Sequence, residues 1–154
     1  MKADLANPFI SAAVGVFQKE IGVKLTRRDL KLKDSPVPGQ AISIIIGVTG
    51  PVKCQVVYAM DDNFAFAVAK SMLPGKLPAE IKKFINSSIA EMANMITGAA
   101  SITLAGENKK IDITTPAVFT GPGVRMDFLN LPTICLSFIS EIGSFELNIA
   151  LTED

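Results

Sequence analysis

Residues 78–105 read PAEIKKFINSSIAEMANMITGAASITLA, and the spacing of their apolar members predicts one long helix. Pro78 suits a first helical turn, where its missing N–H costs little, and Gly106 supplies a stop signal. At about 100° per residue, Ile85, Ile89, Met92, Ile96 and Ala99 fall on one stripe, which should face a core. Ser87, Glu91, Asn94, Gly98 and Ser101 form a second stripe, spanning roughly 80° and turned away from the first. Glu91 and Asn94 are three apart, so their side chains are neighbours on one surface.

On either side of this helix the periodicity changes. Ala41 to Thr49 and Val52 to Met60 are rich in β-branched residues and are separated by Gly50-Pro51, which predicts a hairpin. Asp61 and Asp62 then cap a helix over about 62–73, stopped by Pro74-Gly75. Upstream, Phe9, Ile10, Ala13, Val14, Phe17 and Ile21 recur at helical spacing over 8–21, with Asn7 as N-cap and Pro8 in the first turn. Leu30 and Leu32 alternate with Lys31 and Lys33, as in a partly exposed strand, and Pro36 to Gly39 reads as a turn.

The last third holds three strand-like stretches. They are Lys110 to Thr120, Val124 to Leu129, and Thr133 to Ala150 broken near Gly143, with turns at Gly121-Pro122-Gly123 and Asn130-Leu131-Pro132. Helix, strands, two helices, strands is the order of an α+β fold. A mixed, mainly antiparallel sheet packed against long helices is expected, rather than a doubly wound parallel one. The length of 154 residues fits a single domain over 1–154.

Composition narrows the chemistry. Fifteen basic residues balance fifteen acidic ones, which gives no electrostatic case for nucleic acid or an acidic membrane. No stretch approaches the roughly 20 apolar residues of a membrane span. The apolar run from Phe9 to Phe17 lacks the flanks of a secretory signal, so a cytoplasmic protein is expected. Cys54 and Cys135 lie in apolar strand-like segments and read as buried thiols rather than a disulfide. The chain has no histidine, which removes the imidazole general base, histidine-containing zinc sites and the Ser-His-Asp triad together.

A polar stripe on a helix is ordinarily a solvated face, rich in Lys, Arg and Glu. This one is not, because no charged residue lies between Glu91 and Glu107. Gly98 costs up to about 1 kcal/mol relative to alanine in a helix interior, and Asn94 is a weak helix former. Such residues on one face suggest close approach by another chain. An asparagine can orient a water without taking its proton. That is weak equipment alone, but it suffices where a partner already holds a labile phosphoryl group and a metal ion.

The pattern Ser87-x-x-x-Glu91-x-x-Asn94, followed by Pro116, resembles the signature of the CheC/CheX/FliY phosphatases. The strings Glu91-Met92-Ala93-Asn94-Met95-Ile96-Thr97-Gly98, Ile111-Asp112-Ile113-Thr114-Thr115-Pro116 and Ile46-Gly47-Val48-Thr49-Gly50 are similar to the CheX form of that family. The resemblance implies a phosphatase acting on the aspartyl phosphate of the chemotaxis response regulator CheY. Asn94 would orient the attacking water and Glu91 would pair with the regulator's active-site lysine. Ser87, Gly98 and Pro116 would be supporting residues. Magnesium would belong to the response regulator, leaving this chain with no cofactor or metal of its own. The helix over 62–73 has no Glu-x-x-Asn pair, so one site per chain is expected. The resemblance also implies a homodimer with a sheet continued across the interface, and the apolar C-terminal strands fit an isologous partner.

Other readings stay open on the residues alone. The same helix could dock a regulator or a flagellar switch partner without hydrolysis, or the fold could be a small-ligand sensor. Thr114-Thr115-Pro116 reads as strand and turn, since no base stands beside its hydroxyls. The basic stretch Lys24, Arg27, Arg28, Lys31 and Lys33 reads as a solvated strand. Lys82-Lys83 could instead meet acidic groups around a regulator's active site.

Overall fold

A computed structural model describes residues 2–34, 37–38, 41–106, 110–121, 125–126 and 132–151. The first helix, α1, runs Lys2–Val16 and continues as a π-helical turn over Phe17–Ile21. It starts a turn and a half before the expected point. Asn7 is therefore no N-cap, and Pro8 lies inside the helix. An interior proline normally costs about 3 kcal/mol. The opposing term is burial of Leu5 and Ala6, which carry the apolar stripe upstream of Pro8 into the core.

Among the described residues the strands are β1 Thr26–Asp34, β2 Val37–Pro38, β3 Ile42–Thr49, β4 Cys54–Met60, β5 Asp112–Ile113, β6 Ala117–Thr120, β7 Arg125–Met126, β8 Pro132–Ser140 and β9 Gly143–Leu151. Seven of them form one antiparallel sheet in the order β1-β8-β9-β4-β3-β5, with β6 also on β3. The expected Pro36–Gly39 turn differs at its centre, where Val37–Pro38 pairs with Arg125–Met126 as a separate two-stranded ribbon. Pro36 and Gly39 lie outside the described residues. So do Pro122 and Gly123, Asn130 and Leu131, and most of the expected strand from Val124 to Leu129.

At the β3–β4 hairpin, Gly50 has φ 145° and passes so close to Lys110 that a Cβ would sit 2.8 Å from the Lys110 carbonyl oxygen. Only glycine fits there. Ile42, Ile44, Ile46 and Val48 of β3 alternate into one hydrophobic core, together with Cys54, Val56, Tyr58 and Met60 of β4. Phe17 and Phe64 from the helices meet Phe138 and Phe145 from the sheet in one aromatic cluster, with neighbouring ring centroids 5.1–6.0 Å apart. Cys54 and Cys135 are buried and form no disulfide, and burial pushes the Cys54 thiol's pKa up to about 12.

The C-terminal strands are not available for pairing with a second copy. Both β8 and β9 have neighbours on each side, because their Thr133–Ala150 hydrophobic content is used to build the middle of the sheet. The edge opposite β5 and β6 belongs to β1.

The helix α2, Asp62–Met72, begins where expected, with the Asp61 carboxylate accepting the Phe64 N–H at 2.8 Å. The long helix does not run unbroken. It divides at Phe84, φ −115° and ψ 14°, into α3, Pro78–Lys83, and α4, Ile85–Ala105. The apolar positions 81, 85 and 89 keep helical phase through the break, which is why periodicity alone passes over it. Ile81 packs under α3, whereas α4 buries Ile89, Met92, Ala93, Ile96 and Ala100 against α1 and the sheet. Ala99, expected inside, is exposed, and its neighbour Ala100 takes the core position.

Candidate active site

The surface of α4 left open by this packing carries Ser87, Glu91, Asn94 and Gly98. Glu91 and Ser87 are exposed, and Asn94 is half-buried. Ser101 departs from the expected stripe. It is buried, and its hydroxyl donates to the Thr97 carbonyl at 2.7 Å, so it belongs to the helix's own hydrogen bonding. Gly98 stands in open space, with no heavy atom within 4 Å of where a Cβ would lie. Packing inside the chain therefore does not require a glycine there.

Opposite α4, the expected strand from Lys110 to Thr120 is interrupted. Ile113 pairs with Val48 and Ala117 with Ile45, so three residues of this edge face two of β3. The extra residue makes Thr114, Thr115 and Pro116 bow outward. Two causes act here. Pro116 has no N–H to give to a ladder. Thr114 fastens both backbone groups of Gly47, its own N–H donating to the Gly47 carbonyl at 2.9 Å and its hydroxyl accepting the Gly47 N–H at 2.8 Å. Gly47 permits this approach, since a Cβ there would lie 3.1 Å from the Thr114 methyl.

The bowed segment and α4 enclose an open cleft of about 440 Å³, with Ser87, Glu91 and Asn94 on one wall and Thr114, Thr115 and Pro116 on the other. Four of the five expected site residues thus meet in one place: Ser87, Glu91, Asn94 and Pro116. Gly98 lies a turn further along, facing two neighbouring depressions, one beside Ile102 and Ile111 and one between α4 and α1. The threonines read from sequence as plain strand and turn are the second wall. Only their place beside a signature proline hinted at this.

Among the described residues, Glu91 has no ion pair and Asn94 no side-chain hydrogen bond. Their polar atoms are available to a visitor. Among the described residues, no group of three or more Cys, Asp or Glu could hold a metal ion, and no helix is long and apolar enough to cross a membrane. A carboxylate and an amide on a rigid helix, open at the surface, can orient a water and grip a cation but cannot by themselves activate a substrate. Such a pair suits a partner that already carries its own reactive group.

The sequence model of the family described as chemotaxis phosphatase CheX matches residues 42–138. The chain belongs to the chemotaxis phosphatase CheX family. It is 24% identical over 156 residues to the CheY-P phosphatase CheX of Thermotoga maritima, covering 98% of this chain and 97% of that one. Its fold is similar to the crystal structure of a chemotaxis protein CheX from Desulfovibrio desulfuricans, with TM-score 0.85, 24% identity, and 96% and 99% of the two chains covered. It is also similar to the CheX–CheY–BeF3–Mg2+ complex from Borrelia burgdorferi, with TM-score 0.72, 24% identity, and 96% and 97% covered.

Proposed function

We propose that this chain hydrolyses the aspartyl phosphate of a CheY-type response regulator, with Asn94 and Glu91 as the residues it contributes. The observation that carries the reading is the free, side-by-side presentation of those two side chains above an open cleft, in a member of a phosphatase family. A relative with this fold occurs in a complex with CheY and Mg2+.

The chemistry asked of the chain is small. Water oxygen attacks phosphorus, the bond from phosphorus to the aspartyl oxygen breaks, inorganic phosphate leaves and the carboxylate is regenerated. The regulator supplies the acyl phosphate and the magnesium, so this chain brings no cofactor. Asn94 accepts one water hydrogen through its amide oxygen, which turns an oxygen lone pair toward phosphorus. Glu91 pairs with a regulator lysine and holds the two proteins in register. Ser87 borders the approach, and Pro116 keeps the facing wall bowed away from the helix.

Gly98 is the clearance that lets the regulator lie against α4. Gly98→Leu adds a side chain into space the chain leaves empty, so thermal unfolding should stay at the wild-type temperature or rise slightly. KM for the phosphorylated regulator should rise about tenfold or more, because the new side chain occupies the docking face. Unchanged KM would remove Gly98 from that face.

The setting is the cytoplasm, where such regulators signal. The homodimer implied by the resemblance would join along the β1 edge, where Leu30 is 41% and its neighbour's Ile139 44% exposed. The deciding experiment mixes the purified protein with a phosphorylated CheY-type regulator and follows phosphate release. Faster release than from the regulator alone is expected. Unchanged release with a stable complex would make the chain a binding module instead.

A further inference from the structure

We infer that the buried hydrogen bond between Tyr58 and Thr97 fixes the rotation of α4 over the sheet and so aims Asn94. Both are positioning residues, and the inference rests on the hydrolytic reading above. Tyr58 Oη and Thr97 Oγ1 are 2.8 Å apart, and neither residue has any exposed surface. Tyr58 stands on β4, paired with Ile44 of β3 in the interior of the sheet. Thr97 lies three residues beyond Asn94 on α4, next to Gly98.

Among the described residues this is the one side-chain hydrogen bond that joins α4 to the sheet. The rest of the contact is Ile89, Met92, Ala93, Ile96 and Ala100. Apolar burial resists separation of the two layers and close packing limits gross rotation, but neither supplies a directional bond at a defined point of the helix. A hydrogen bond between two buried hydroxyls is directional, and breaking it leaves polar atoms without partners. Burial pushes the Tyr58 phenol's pKa upward, so the group stays neutral and keeps its proton. The Thr97 carbonyl is occupied by the Ser101 hydroxyl at 2.7 Å, and the Thr97 hydroxyl is left to Tyr58.

Small rotations matter at the surface of the helix. An atom about 6 Å from the axis moves about 2 Å when the helix turns by about 20°. A misplacement of about 1 Å in a reacting geometry can lower a rate on the order of a hundredfold. Gly98 offers no side chain to oppose such a turn, and its surroundings are open.

Steady-state hydrolysis of a phosphorylated CheY-type regulator, measured well below each variant's Tm, tests the inference. Tyr58→Phe and Thr97→Val should each lower kcat by about tenfold and leave KM within about twofold of wild type. Thr97→Ser keeps the hydroxyl and should restore wild-type kcat. The double variant Tyr58→Phe/Thr97→Val leaves no unpaired hydroxyl, so it should regain the Tm lost by the single variants while kcat stays low. Lower Tm with wild-type kcat in the single variants would make the bond merely structural and overturn the inference. Equal loss of kcat in Thr97→Ser, or a rise in KM alone, would overturn it too. Wild-type protein that fails to speed phosphate release overturns the hydrolytic reading itself, and the positioning role falls with it.

Discussion

Asn94→Ala should lower kcat for phosphate release by about a hundredfold or more, with KM for the phosphorylated regulator little changed. On the proposed reading the amide holds a water beside the visiting phosphoryl, so its loss should act on the transition state and hardly on docking. The fold should survive intact. Asn94 gives up no side-chain hydrogen bond among the described residues, and it lines a cleft rather than filling the core. Alanine is also the better helix former, so Tm should hold or rise slightly. Stopped-flow phosphate release and thermal unfolding on the same preparation check both halves. Wild-type kcat in this variant would remove Asn94 from the reaction. A collapse of Tm would return it to a structural role.

Glu91→Ala should act on KM as well as on kcat. Its carboxylate is exposed and has no ion pair among the described residues, so its proposed work lies in the complex. Removing one member of an ion pair that docking desolvates costs about 2 kcal/mol or more, roughly thirtyfold in kcat/KM. Raising the salt concentration should weaken the wild type toward the variant, since charge steering is screened. Glu91→Gln keeps the shape and hydrogen-bonding capacity without the charge, and should fall between the two. Equal kcat/KM for Glu91→Ala and wild type would exclude the pairing.

The parts of this fold that follow from local rules were legible in the sequence. The β3–β4 hairpin, the Asp61 cap of α2 and the β8–β9 pair all announce themselves through short-range chemistry. So was the open face of α4, because helical phase fixes which side chains travel together. What escaped depends on contacts distant in sequence. Phase continues through Phe84 although the backbone turns there. Ser101 looked like part of the site because its position on the helix agrees, yet the core closes over it. The bowed wall at Thr114–Pro116 depends on Gly47, far away along the chain, and reads as plain strand and turn until that partner is seen. The Tyr58–Thr97 bond spans 39 residues. Its only outward signs were a lone tyrosine in an aliphatic strand and a threonine among aliphatic neighbours.

The break at Phe84 separates two tasks that an unbroken helix would have tied together. In a single rod, inserting or deleting a residue near Lys82 or Lys83 would swing every later side chain by about 100°. With a joint at Phe84, such changes are absorbed upstream, and the azimuth of Glu91 and Asn94 answers to the sheet below them. The leading segment, with its exposed Lys82 and Lys83, can thereby change its length or direction without swinging Glu91 and Asn94 off their side of the helix.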